Sequence, residues 1–116
     1  MGAVQVRIVG NSSASVVEVI VDTGFSAFLA LPLDAIKRLG LQSQGVLQVI
    51  LADGSNVDGS NVEADTFSAQ VEFDGKLRDV YVVHTETKPL LGMSFLEGCQ
   101  LQIEVRDGGN VRVDML

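Results

Sequence analysis

Cysteine, histidine and tyrosine each occur once in the 116-residue chain, and tryptophan is absent. A single thiol, Cys99, cannot close an internal disulfide, and one His with one Cys cannot supply the ligand set of a zinc site. Basic residues are also scarce: 8 Lys and Arg stand against 15 Asp and Glu, a net charge of −7. They are scattered as Arg7, Lys37, Arg38, Lys76, Arg78, Lys88, Arg106 and Arg112, with no stripe among them. Nucleic-acid binding needs a patch that displaces counterions from phosphates, so that partner class is set aside. Long apolar runs are missing too. Hydrophobic residues make up 47% of the chain and mean hydropathy is +0.31. Even so, charges interrupt every run well before the roughly 20 residues of a membrane helix. The start, MGAVQVRIVGNSS, lacks the charged, apolar and small-residue succession of a signal peptide. The expectation is a cytoplasmic protein with no membrane association.

What remains is rich in Val and Gly, with 12 Gly and only 2 Pro, a composition of strands and tight turns. VQVRIV (4–9) and SVVEVIV (15–21) are of strand length and flank the polar turn GNSSA, which predicts a hairpin. FLAL (28–31) is a short apolar run. PLDAIKRLGL then switches to helical character, with Pro32 in the first turn, Leu33, Ile36 and Leu39 on one face, and Gly40 as the stop. A strand begins again at VLQVILADGS. VDGSNVEADTFSAQVEF alternates loosely up to the turn Asp74-Gly75, and KLRDVYVV returns. The apolar knot LLGMSFL follows Pro89, and CQLQIEV and VRVDML form a last hairpin across RDGGN. The prediction is one mostly β domain, residues 1–116, with one or two short helices.

Three features invite chemistry and carry little of it. DGSNV occurs twice in succession, at 53–57 and 58–62. In a calcium loop with Gly59 at the glycine position, Gly54 would replace the first ligand and Asp65 would be too short for the last. His84 ends a strand without a nucleophile signature such as G-x-S-x-G nearby, which favours a surface role. Cys99 opens a strand and reads as a small core residue.

Asp22 is different. Asp22-Thr23-Gly24 alone suits an ordinary turn, in which Asp bonds nearby amides. Its setting does not, because VEVIV precedes it and FSAFLALP follows. A carboxylate drawn into an apolar segment must take up a proton or find donors.

The chain resembles the retropepsin-like aspartic peptidases, particularly the small prokaryotic members. Three features carry the likeness in family order: the apolar run ending in Val21-Asp22-Thr23-Gly24, a mid-chain hairpin around Ile50 to Gly59, and Leu90-Leu91-Gly92 followed by MSFLEG. The resemblance implies a closed acid-protease β-barrel and hydrolysis of peptide bonds without metal or cofactor. It implies a homodimer as well, because the chain has one Asp-Thr-Gly where pepsin-like enzymes carry two. Asp22 would be the catalytic acid, facing Asp22 of a second copy, with Thr23 bonding across the axis and Gly24 aiming its amide at the carboxylate. Ala52, Asp53, Gly54 and Ser55 would form a flap over a peptide or unfolded-protein substrate, and Leu90, Leu91 and Gly92 would pack behind the catalytic loop. The terminal strands AVQVRIV and VRVDML would build an interleaved dimer sheet.

The chain departs from the retroviral pattern at Phe25, where a small residue is usual and where a bulky ring would shape the pocket. It also departs at the flap, which reads LADGSNVDG, and at Gly92-Met93-Ser94, which replaces Gly-Arg-Asn/Asp. A second possibility is a non-catalytic module of the same fold that binds peptide or dimerises. A third is a β-barrel in which Asp-Thr-Gly occurs by chance.

Overall fold

Alternation along the first two strands sets the barrel wall. In the computed structural model, which describes residues 3–49 and 62–116, β1 (Ala3–Val9) and β2 (Ala14–Val21) are antiparallel, with Val4 opposite Val19 and Val6 opposite Val17. Val6, Ile8, Val19 and Val21 point into the core, as a period of two requires. β3 (Leu29–Leu31) is fully buried and leads into α1 (Leu33–Leu39).

Pro32 is the N-cap of α1, one position before the first turn where the sequence had suggested it. The buried face is Ala35, Ile36 and Leu39, while Leu33, expected on that face, is exposed. Gly40 ends the helix in the left-handed region at φ 67°. Its N–H donates to the Lys37 carbonyl at 3.1 Å and the Leu41 N–H to that of Ile36 at 3.2 Å, which closes the last turn.

β4 (Gln42–Val49) pairs antiparallel with β5 (Val62–Phe73), and β5 with β6 (Lys76–His84). β4 starts at Gln42, earlier than its apolar residues suggest, because pairing with Ser68 and Phe67 of β5 recruits Gln42 and Ser43. The β5–β6 turn has positive φ at both Asp74 (53°) and Gly75 (75°), the hairpin geometry that matches strand twist. The expected mid-chain hairpin at Ile50 to Gly59 and the DGSNV repeat lie outside the described residues.

β7 (Leu90–Leu91) runs between β2 and β3, parallel to the first and antiparallel to the second. The pairings β1-β2-β7-β3-β6-β5 return to β1 through contacts of Arg7, Ile8 and Val9 with β5, so six strands close a barrel and β4 extends from its rim. Closure shortens the open edges of those strands, although β2 meets β7 only at Ile20 and Val21 and β6 meets β3 only from Val82 to His84. One turn of helix, α2 (Met93–Leu96), follows β7. β8 (Cys99–Ile103) and β9 (Val111–Met115) then form a separate two-stranded sheet. Within the chain, the C-terminal strand pairs with its own hairpin partner and β1 belongs to the barrel. The core joins Ile8, Val19, Leu29, Leu31, Val71, Val82, Leu91 and Phe95.

Candidate active site

Asp22 stands at the point where β2 leaves the barrel. The Ile20 N–H donates to the Pro89 carbonyl and the Asp22 N–H to that of Leu91, both at 2.9 Å. β2 is thus held against β7 up to the carboxylate-bearing residue itself. The chain then turns sharply: the Phe25 N–H donates to the Asp22 carbonyl at 3.2 Å, and the Gly24 N–H donates to Asp22 Oδ1 at 2.9 Å.

The apolar surroundings do not bury the acid. Val21, Phe25 and Ala27 are inside, but the turn carries Asp22 to a half-buried position and leaves Thr23 and Gly24 exposed. The sequence suggests a carboxylate drawn into the interior; in the single chain the turn leaves it half-buried. Among the described residues, the Gly24 amide is the sole donor to the Asp22 carboxylate, and the ion pairs lie elsewhere, at Arg7–Glu72, Arg106–Glu104 and Arg112–Asp114.

Behind this turn, α2 and its leading glycine hold the loop from 25 to 28. The Gly92 N–H donates to the Phe28 carbonyl at 3.0 Å, Met93 N–H to Phe25 at 2.8 Å and Ser94 N–H to Ala27 at 3.3 Å. Ser94 Oγ donates to the Ser26 carbonyl at 2.6 Å. Four successive carbonyls of the loop are therefore bound by three successive residues. Leu91 is fully buried in the main core, and Leu90 packs against the smaller cluster of Phe25, Ala27, Ala30 and Val83.

Phe25, expected to shape a pocket, is 1% exposed and packs inward. Its ring lies so close to Gly92 that a Cβ there would come within 2.7 Å of Phe25 Cδ2. The large aromatic therefore fills space behind the loop that the missing side chain of Gly92 leaves free. Met93 and Ser94 stand out in the sequence as a departure from the retroviral pattern, but their bonds to the loop carbonyls do not, because they depend on a segment some 68 positions away in the chain.

The remaining candidates disperse. His84 is exposed at the end of β6. Cys99 is half-buried at the start of β8, not a core residue, with Met115 Sδ at 3.7 Å from its Sγ; the hairpin leaves one side of it open. Ala52, Asp53, Gly54 and Ser55 lie outside the described residues. A groove of about 440 Å³ beside β5 and β6, lined by Phe28, Gln44, Ser68, Gln70, Asp79 and Tyr81 among others, includes none of residues 22–24. Among the described residues no cluster of three or more His, Cys, Asp or Glu is placed to hold a metal, and no helix is long and apolar enough to cross a membrane.

A family model described as aspartyl protease matches residues 4–95, which include both the Asp22 turn and the Leu90-Leu91-Gly92 segment. No curated protein matches the chain. Among solved structures, the chain is similar to a retropepsin-like aspartic protease from Rickettsia conorii. The identity is 16%, with 96% of this chain and 85% of that chain covered, at a TM-score of 0.53. At that identity the likeness is one of fold, and the fold is retropepsin-like.

Proposed function

The chain belongs to the aspartyl protease family, and on that premise we propose that it is a homodimeric endopeptidase whose catalytic acid is Asp22 of each copy. The observation that carries this is the Asp22 turn: a half-buried carboxylate held by the Gly24 amide at 2.9 Å, with no other described side chain bound to it. One chain contains one Asp-Thr-Gly, so the second carboxylate comes from a second copy related by a two-fold axis.

Two carboxylates within about 3 Å of each other hold a single proton between them. The ionised oxygen takes a proton from a bound water as that water attacks the peptide carbonyl carbon. The protonated carboxyl gives its proton to the carbonyl oxygen, and a tetrahedral diol forms. The dyad then delivers a proton to the amide nitrogen, the C–N bond breaks, and a carboxylic acid and an amine leave. No covalent enzyme intermediate forms, and no metal or cofactor takes part.

In this proposal Thr23 bonds across the axis, and Ala52, Asp53, Gly54 and Ser55 close over an extended peptide that binds as an added strand. The surface of the lone chain supports association. Met93 on α2 is 45% exposed beside the Asp22 turn, and Ile103, Val105, Met115 and Leu116 of the C-terminal hairpin are exposed as well. That hairpin continues from α2, with the Leu116 N–H donating to the Gly98 carbonyl at 3.1 Å, and among the described residues its two strands pair only with each other. Leu101, Val111 and Val113 seat one face of the hairpin on the core, while its outer strand edges stay open to further strands.

The test is the order of the reaction in enzyme. With an unstructured protein as substrate, the rate rises as the square of chain concentration below the dimer dissociation constant and linearly above it. A linear rate throughout, from a chain that sediments as a monomer at high micromolar concentration, would sink the shared site.

A further inference from the structure

We infer that Arg78 is a positioning residue that sets α2, and through it the Asp22 loop; the inference rests on the proteolytic function proposed above. Arg7, Arg106 and Arg112 each pair with a carboxylate. Arg78 does not do so among the described residues. It lies on the inward row of β6 with Val80 and Val82, half-buried. Its Nη1 donates to the Phe95 carbonyl at 3.0 Å, and its guanidinium stacks 4.6 Å from the centre of the Phe95 ring. A second contact on that ring is Phe73, edge-on at 5.6 Å between centroids.

The reason a cation is needed there follows from the length of α2. It has four residues, and its N-cap, Gly92, has no side chain with which to bond the first amides. A single turn cannot sustain itself, because nucleation is unfavourable and its last carbonyls have no following turn to bond. Arg78 supplies a charged donor to one of those carbonyls and fixes the ring of the same residue, which gives α2 one defined seat on the sheet. The other end of α2 carries the amides of Gly92, Met93 and Ser94 and the Ser94 hydroxyl, which bind the carbonyls from Phe25 to Phe28. A shift of α2 is transmitted to the turn that aims Asp22. Catalysis by two facing carboxylates is sensitive to displacements of about 1 Å.

Amide hydrogen exchange and cleavage by the full chain test this together, with Arg78→Met, which keeps the aliphatic stem but removes donor and charge, and Arg78→Lys, which keeps the charge. Exchange at Gly92, Met93 and Ser94 is expected to accelerate at least about tenfold in Arg78→Met, with Val71 and Val80 within about twofold of wild type, and Arg78→Lys between the two. Per site titrated by a statine-type inhibitor, kcat falls about tenfold while KM stays within twofold. Unchanged exchange at 92–94, equal acceleration across the barrel, or an unchanged kcat per titrated site overturns the inference. Should Arg78→Met not fold, the intermediate exchange pattern of Arg78→Lys decides the same point. Selective acceleration at 92–94 in a chain whose wild type cleaves nothing would refute proteolysis and leave the coupling between Arg78 and the loop standing.

Discussion

Asp22→Asn is expected to lower kcat/KM on an unstructured protein substrate by at least about 10³-fold, with the fold intact. General acid–base transfer contributes about 10² to 10⁴, and here both the base that activates water and the acid that protonates the carbonyl oxygen are Asp22 side chains. An amide can take over neither role. The side chain keeps an oxygen that can accept from the Gly24 N–H, which reaches Asp22 Oδ1 at 2.9 Å, so the turn itself should survive. Asp22 is only half-buried and is absent from the core clusters, so the change in midpoint of urea unfolding should be small. The check is cleavage between pH 3 and 7 beside an unfolding curve. Equal cleavage by wild type and Asp22→Asn would place the activity elsewhere. A chain unfolded by the substitution would show instead that the turn depends on the charge.

The second large effect is on the fold. Gly92→Ala adds one methyl group, yet that methyl would land on the Ala27 carbonyl oxygen and approach the Phe25 carbonyl oxygen to 2.8 Å and Phe25 Cδ2 to 2.7 Å. Two of these three are backbone atoms of the loop that follows Asp22, so no rotamer change relieves the overlap. Gly92 itself has φ −104°, a region open to alanine, and the penalty is therefore one of space and not of backbone conformation. Overpacking typically costs about 1–3 kcal/mol, and contact with backbone puts this substitution at or above about 3 kcal/mol. Denaturant unfolding should show the loss directly. Where the protein stays folded, kcat should fall too, because the loop can make room only by moving the Asp22 turn. A variant with wild-type stability and activity would mean that the loop is not seated against Gly92.

Much of this geometry was legible in the residues, for identifiable reasons. The hairpins announced themselves through alternation and through turns such as Asp74-Gly75, whose chemistry is local. The end of α1 at Gly40 was equally local. Asp22-Thr23-Gly24 and Leu90-Leu91-Gly92 were recognisable as a pair by resemblance to the family, and the fold brings them together: the Asp22 N–H donates to the Leu91 carbonyl at 2.9 Å.

What could not be read depends on contacts between distant segments. Two-residue β7 has no periodicity to reveal that it is paired on both sides. The start of β4 at Gln42 is set by its partner strand. Phe25, expected beside the pocket, faces the core because Gly92, distant in the sequence, leaves room for its ring. Arg78 looked like any strand arginine before a carbonyl 17 positions later came within 3.0 Å. The half-buried position of Asp22 in the single chain could not be read either, because hydrophobic neighbours in sequence describe where a segment lies and not how far one side chain at a turn is covered.

The most direct measurement of the central claim is the stoichiometry of a statine-type transition-state analogue by calorimetric titration. A site assembled from two Asp22 side chains takes one inhibitor per two chains, with no binding to Asp22→Asn. One inhibitor per chain, or binding that survives the substitution, would contradict the shared dyad.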